Sequence, residues 1–196
     1  MKLTFTACLL ALALTASASS LEEAIRLYKD KNYEQAETLL REARAENPDS
    51  AEASYYLGAT LVELKKYEEA DQYLEGVAED KPEARVALGK SYMLQEKLDN
   101  AMRTLDMAAK ALPDNAEIWL YRGMIHLKRD RFSDAAKQLA KAIELDPKLA
   151  HAHYYFGMAN SRIKRPDLMV KHFQLFLELA PDAAEAPKVR SLLRSL

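Results

Sequence analysis

Glycine returns along this 196-residue chain at Gly58, Gly89, Gly123 and Gly157, proline at Pro48, Pro82, Pro113, Pro147 and Pro181, and alanine at Ala36, Ala70, Ala101 and Ala135. Within each series the interval is 34 residues, except one of 31. A fixed period of that size means one supersecondary unit copied several times. A single copy cannot bury its apolar face alone, so the copies must stack.

The second copy shows what the unit is. Apolar residues recur at three- and four-residue steps from Ser50 to Leu64 and again from Glu68 to Ala78, and no stretch alternates with the period of two expected of a strand. Each copy therefore predicts two helices joined by a short turn, and the class is all-α. Five copies are expected, over residues 19–50, 51–81, 82–115, 116–149 and 150–183. A capping helix over 184–196 follows, starting near Pro187, with Val189, Leu192, Leu193 and Leu196 on one side and Lys188, Arg190 and Arg194 on the other.

Physical reasons attach to the repeated columns. Glycine in a helix costs about 1 kcal/mol relative to alanine, so its recurrence in four successive first helices predicts close contact with the second helix, where the alanine column stands. Ala24 takes the glycine's place in the first copy. The prolines are expected to stop the second helices, since proline disfavours helical geometry in the preceding residue, and Asp49 and Asp114 to cap the helices that follow. Tyr33, Tyr67, Leu98 and Phe132 open the second helices. At the front, Ser20-Leu21-Glu22-Glu23 reads as a capping box.

The pattern Trp119…Gly123…Phe132…Ala135…Ala142…Pro147, with Leu57-Gly58…Tyr67…Ala70…Pro82, resembles the tetratricopeptide repeat. The resemblance implies a right-handed superhelical solenoid of helix-turn-helix repeats whose first helices line a concave groove. It also implies a module that binds a protein or peptide partner. Counted outward from the glycine column, the groove residues are Tyr28, Tyr55, Val62, Val86, Lys90, Met93, Leu94, Leu120, Met124, Leu127, Lys128, Tyr154, Met158 and Arg162. Tyrosine offers amphipathic contact area and methionine adapts to irregular partners. Some relatives hold a terminal carboxylate in a clamp of lysine, arginine and asparagine. Here Leu21, Ile25, Tyr56, Glu83 and Ala87 occupy those places, so that clamp is missing.

Two departures from the pattern carry expectations. Three residues are lost near Asp80-Lys81-Pro82-Glu83, which should tighten the connection between the second and third copies. In the fifth copy Pro166 opens the second helix while Met169 and Phe176 replace small residues, so that pair must pack differently.

The first 18 residues read as a secretory signal peptide: Lys2, an apolar run from Leu3 to Leu14, and Ala16-Ser17-Ala18 for cleavage. That run falls short of the ~20 residues that span hydrocarbon. Export is expected, to the periplasm, with cleavage near Ala18. Anchoring through a lipidated Cys8 is the disfavoured reading, because most of the apolar run follows that residue. Cleavage would remove the chain's single cysteine, so packing rather than disulfides must stabilise the fold.

Charge narrows the partners. The formal net charge of -2, from 28 basic and 30 acidic residues, argues against a nucleic-acid binder, and no basic amphipathic segment suits a membrane surface. Nothing points to an enzyme, a metal or a cofactor: there is no phosphate-cradling glycine loop and no nucleophile elbow. His151 and His153 stand two apart, a spacing that turns them to different sides of a helix. Arg122, His126 and Asn160 replace apolar residues of equivalent columns, as a polar cluster that fixes repeat geometry or meets a ligand. The functional expectation is an adaptor or scaffold in envelope assembly, secretion, pilus biogenesis or cytochrome maturation. A chaperone-like holder of unfolded clients and a self-assembling structural protein stand as alternatives, and the oligomeric state is left open.

Overall fold

The computed structural model describes residues 20–195. The expected signal peptide, its cleavage site and Cys8 lie outside them. Eleven helices and no strand occur among the described residues. They are α1 (20–29), α2 (Tyr33–Glu46), α3 (Ala51–Glu63), α4 (Tyr67–Val77), α5 (Pro82–Leu94), α6 (Leu98–Ala111), α7 (Ala116–Lys128), α8 (Phe132–Leu145), α9 (Ala150–Arg162), α10 (Pro166–Leu179) and α11 (Ala186–Arg194). The chain divides into two compact units between Glu96 and Lys97.

In the first unit α3 packs on α2, α4 and α5, and α4 also packs on α5. One cluster holds it together, with Ala24, Leu40, Leu57, Leu61, Val62, Leu74 and Leu88 buried among the edges of Tyr28, Tyr55 and Tyr56. The second unit repeats the scheme: α7 packs on α6, α8 and α9, and α9 on α8 and α10. Across α9, α10 and α11 a further cluster buries Met169, Phe173, Phe176, Ala186 and Val189.

Small residues stand where the helices of a hairpin meet. A Cβ on Gly58 would lie 2.6 Å from Cγ of Leu74, one on Gly123 2.5 Å from Cγ of Leu139, and one on Gly157 2.7 Å from the Phe173 ring. Those distances are too short for any real side chain, which explains the helical glycines. Gly89 is buried as well, and Ala36, Ala70, Ala101 and Ala135 are fully enclosed.

The turn inside every hairpin carries a residue in the left-handed region: Lys31, Lys65, Glu96, Asp130 and Lys164, with φ between 55° and 62°. The first helices α1, α3, α7 and α9 end there in the bonding pattern of a Schellman cap. Thus Lys66 N–H reaches the Leu61 carbonyl, Arg131 N–H that of His126, and Arg165 N–H that of Asn160.

Two sequence-based expectations need correction. Pro82 does not stop α4, which ends at Val77. The three missing residues shorten α4 to 11 residues against 14 in α2, and Pro82 becomes the first residue of α5. Asp49 and Asp114 are not the caps: Ser50 Oγ accepts from Ala53 N–H at 3.1 Å, and Asn115 Oδ1 from Glu117 N–H at 2.9 Å, one position later. Ser20 is the first described residue and stands at the start of α1.

Candidate partner-binding face and C-terminal cavity

First helices pack side by side within each unit, α3 against α5 and α7 against α9, and second helices cover them. Side chains of the first helices thus divide between interior and surface, and the expected groove residues divide with them. Val62, Val86, Met93, Leu120 and Tyr154 are buried. Val62 belongs to the core of the first unit and Tyr154 to a core cluster of the second, where it also borders a cavity. Counting from the glycine column placed these five on the surface because it ignored how far a first helix rotates toward its neighbours.

The remaining positions keep accessible area. Leu94 and Lys128 are exposed, as is Arg162, while Tyr28, Tyr55, Lys90, Met124, Leu127 and Met158 are partly buried. Lys90 Nζ donates to Glu63 at 2.5 Å, tying α5 to α3. Tyr28 meets Tyr56 edge-on at 5.5 Å, Tyr56 meets Tyr55 at 4.9 Å, and Lys81 Nζ lies 5.4 Å over the Tyr55 ring. Burial raises the pKa of Tyr56, so its phenol stays neutral through the physiological range.

In the second unit a cavity of about 530 Å³ opens between α9 and α11. Tyr154, Met158 and Arg162 contribute one wall, a helical turn apart, and Lys188, Ser191, Leu192 and Ser195 the other, with Phe173 and Val189 between them. Three of the expected groove residues thus come together, although the sequence treated α11 only as a cap and set Lys188 on the side opposite Val189. Burial and the nearby Glu185 carboxylate raise the Tyr154 pKa, and the same causes with Tyr154 itself push Tyr155 up to about 12.

The expected polar cluster is not a hydrogen-bonded unit among the described residues. Arg122 pairs with Asp106 at 2.9 Å and stacks over Trp119 at 5.1 Å, while Asn160, fully buried, donates to the Phe156 carbonyl at 2.8 Å. His126 is half-buried, and desolvation lowers its pKa. The histidines that do meet are His153 and His172, whose Nδ1 atoms lie 2.9 Å apart in rings stacked at 21°. His153 Nε2 stands 3.0 Å from the Pro147 carbonyl. One repeat earlier Trp119 Nε1 donates to the Pro113 carbonyl at the same distance. A carbonyl only accepts, so His153 carries its proton on Nε2 and accepts on Nδ1 from His172. No group of three or more metal-ligating side chains occurs among the described residues, and no described helix is long and apolar enough to cross a membrane.

Stacked helical hairpins with an open first-helix face define an α-helical repeat module, a scaffold for protein–protein interaction. The tetratricopeptide repeat models match residues 27–91, 86–150 and 122–184, and the chain belongs to that family. The fold is similar to that of TTC0263, a thermophilic TPR protein of Thermus thermophilus, with a TM-score of 0.77, 21% identity, and coverage of 91% of this chain and 97% of that one. YrrB, a TPR protein with an unusual peptide-binding site, gives 0.59 at 20% identity over 88% of this chain and 90% of that one. Among curated proteins the BBS4 homolog of Drosophila melanogaster is 26% identical over 72% of this chain and 31% of its own length. The chain spans less than a third of each curated relative it matches. Repeats of this family are typically non-catalytic scaffolds.

Proposed function

We propose that the protein is an exported adaptor that holds one partner polypeptide on its first helices, in envelope assembly, secretion, pilus biogenesis or cytochrome maturation. One observation carries this reading. After the hairpins have packed, the first helices still offer accessible tyrosine, leucine, methionine and lysine at Tyr28, Tyr55, Leu94, Met124, Leu127 and Lys128. The aromatic rings of Tyr28 and Tyr55 in the first unit, and Met124 with Leu127 in the second, each suit contact with an amphipathic helix or an extended apolar peptide. A likeness of fold to YrrB, a TPR protein with a peptide-binding site, agrees with it.

An adaptor fits better than a holder of unfolded clients, because the large apolar residues exposed among the described residues, Leu94, Met107, Leu179 and Leu192, are few and stand on four different helices. Affinity capture from envelope extract tests the reading, with Leu94→Glu and Met124→Glu as comparison. One stoichiometric partner, lost with the variants, is the expected result. Many salt-released proteins would point to a holder, and capture of further copies of the chain to self-assembly.

A further inference from the structure

We propose that the cavity between α9 and α11 is an anchor site for an acidic amphipathic segment of a polypeptide partner, with an apolar side chain inside and flanking carboxylates on Arg162 and Lys188. This deepens the reading of the chain as a polypeptide holder and rests on it. The volume of about 530 Å³ lies in the range of ligand sites and exceeds what a packing defect leaves. Its walls are apolar where it is deep: Phe173 and Val189 are buried, and Met158 can adjust to the shape that enters. Leu192, 39% exposed, is among the few large apolar side chains open to water among the described residues, and it lines this cavity.

Charge selects the occupant. Among the described residues two cations line the cavity and no carboxylate does, in a chain whose net charge is -2. Arg162 stacks its guanidinium over Phe132 at 4.7 Å, which steadies the head through its face and leaves its N–H edge for a carboxylate. Lys188 has no ion pair or hydrogen bond among the described residues. Glu185, the acid at the start of α11, stands 3.8 Å from His151 Nε2 and does not line the site. Ser161 and Ser191 add uncharged hydroxyls to the rim, where the Ser195 hydroxyl already donates to the Leu192 carbonyl at 2.7 Å.

The test uses the full chain and a short, capped, fluorescein-labelled peptide of glutamate, leucine and phenylalanine, beside the same peptide with every glutamate replaced by lysine. Fluorescence anisotropy should show saturable binding of the acidic peptide, weakened at high ionic strength, and no binding of the basic one. Leu192→Glu and the double variant Arg162→Glu with Lys188→Glu should each weaken it about tenfold or more. Circular dichroism checks the fold, and the double variant changes only exposed side chains, so it stands if Leu192→Glu misfolds. Equal binding of both peptides, or no response to the variants, overturns the proposal. So does saturable binding of dodecanoate that the acidic peptide fails to displace, which would assign the cavity to a small amphipathic acid. Binding lost in Leu94→Glu and Met124→Glu but kept in Leu192→Glu sinks the anchor site and leaves the adaptor reading intact.

Discussion

At three hairpin contacts a single methyl group decides between packing and collision. In an open helix Gly→Ala stabilises by about 1 kcal/mol. Gly76 meets this case, since nothing lies within 4 Å of a Cβ built there, so Gly76→Ala should stabilise by about that amount in urea denaturation. Gly157→Ala should do the reverse and cost about 1–3 kcal/mol, because the Phe173 ring is rigid and stands 2.7 Å from the added carbon. Equal signs for the two variants would refute the packing account of the glycine column. The column itself was legible because only a missing side chain satisfies that geometry. The left-handed residues Lys31, Lys65, Glu96, Asp130 and Lys164 were not, because none is the glycine that marks such turns. Nor was the pairing of His153 with His172, which depends on the register of α9 against α10. Burial, His153 and Lys171 hold the His172 imidazole down at about 4, against 6.5 when unfolded. The unfolded chain therefore binds more protons between those values, so the stability contributed by neutral His172 is full above pH 6.5 and is lost as pH falls toward 4. The melting temperature should decline over that interval, and His172→Gln should flatten the decline.

Among the elements, α11 and α4 show how far a helix's setting escapes the repeat pattern. Existence and period of the helices followed from the apolar spacing, and Tyr33, Tyr67, Leu98 and Phe132 do begin α2, α4, α6 and α8. What α11 covers was not legible, since it belongs to no repeat and its partner surface is made by α9 and α10. Val189 is its buried anchor, packed in one cluster with Phe176 and Ala186. Truncating Val189 to alanine removes two buried methyl groups, a loss of about 1.5 kcal/mol at the usual value per carbon, which chemical denaturation of the full chain can measure. An unchanged midpoint would mean that α11 does not close the core. The 31-residue interval teaches the same lesson for α4. The sequence showed that residues were missing, but not that the loss would shorten α4 and hand Pro82 to the next helix.

On the scale of the whole molecule, each unit buries its own apolar set, as expected of repeats that draw stability from near neighbours. A fragment of residues 97–196 should therefore remain helical and melt cooperatively when expressed alone, with circular dichroism as the readout. Absence of helical signal would show that its core depends on residues before Lys97. Family and helical class were legible from the columns alone, because a period of 34 admits few architectures. Of the fourteen expected groove positions five are buried, because the column pattern does not tell packing from surface on a first helix. The partner's identity is written in its own chain, not in this one. The hairpin turns carry one last consequence. Lys31, Lys65 and Lys164 are exposed, lie outside the helices and precede a peptide bond that trypsin recognises, so light digestion would sever the link between a first helix and a second. The severed halves of the second and fifth hairpins would stay clasped through Leu74 and Phe173, and the nicks would surface only in denaturing gels.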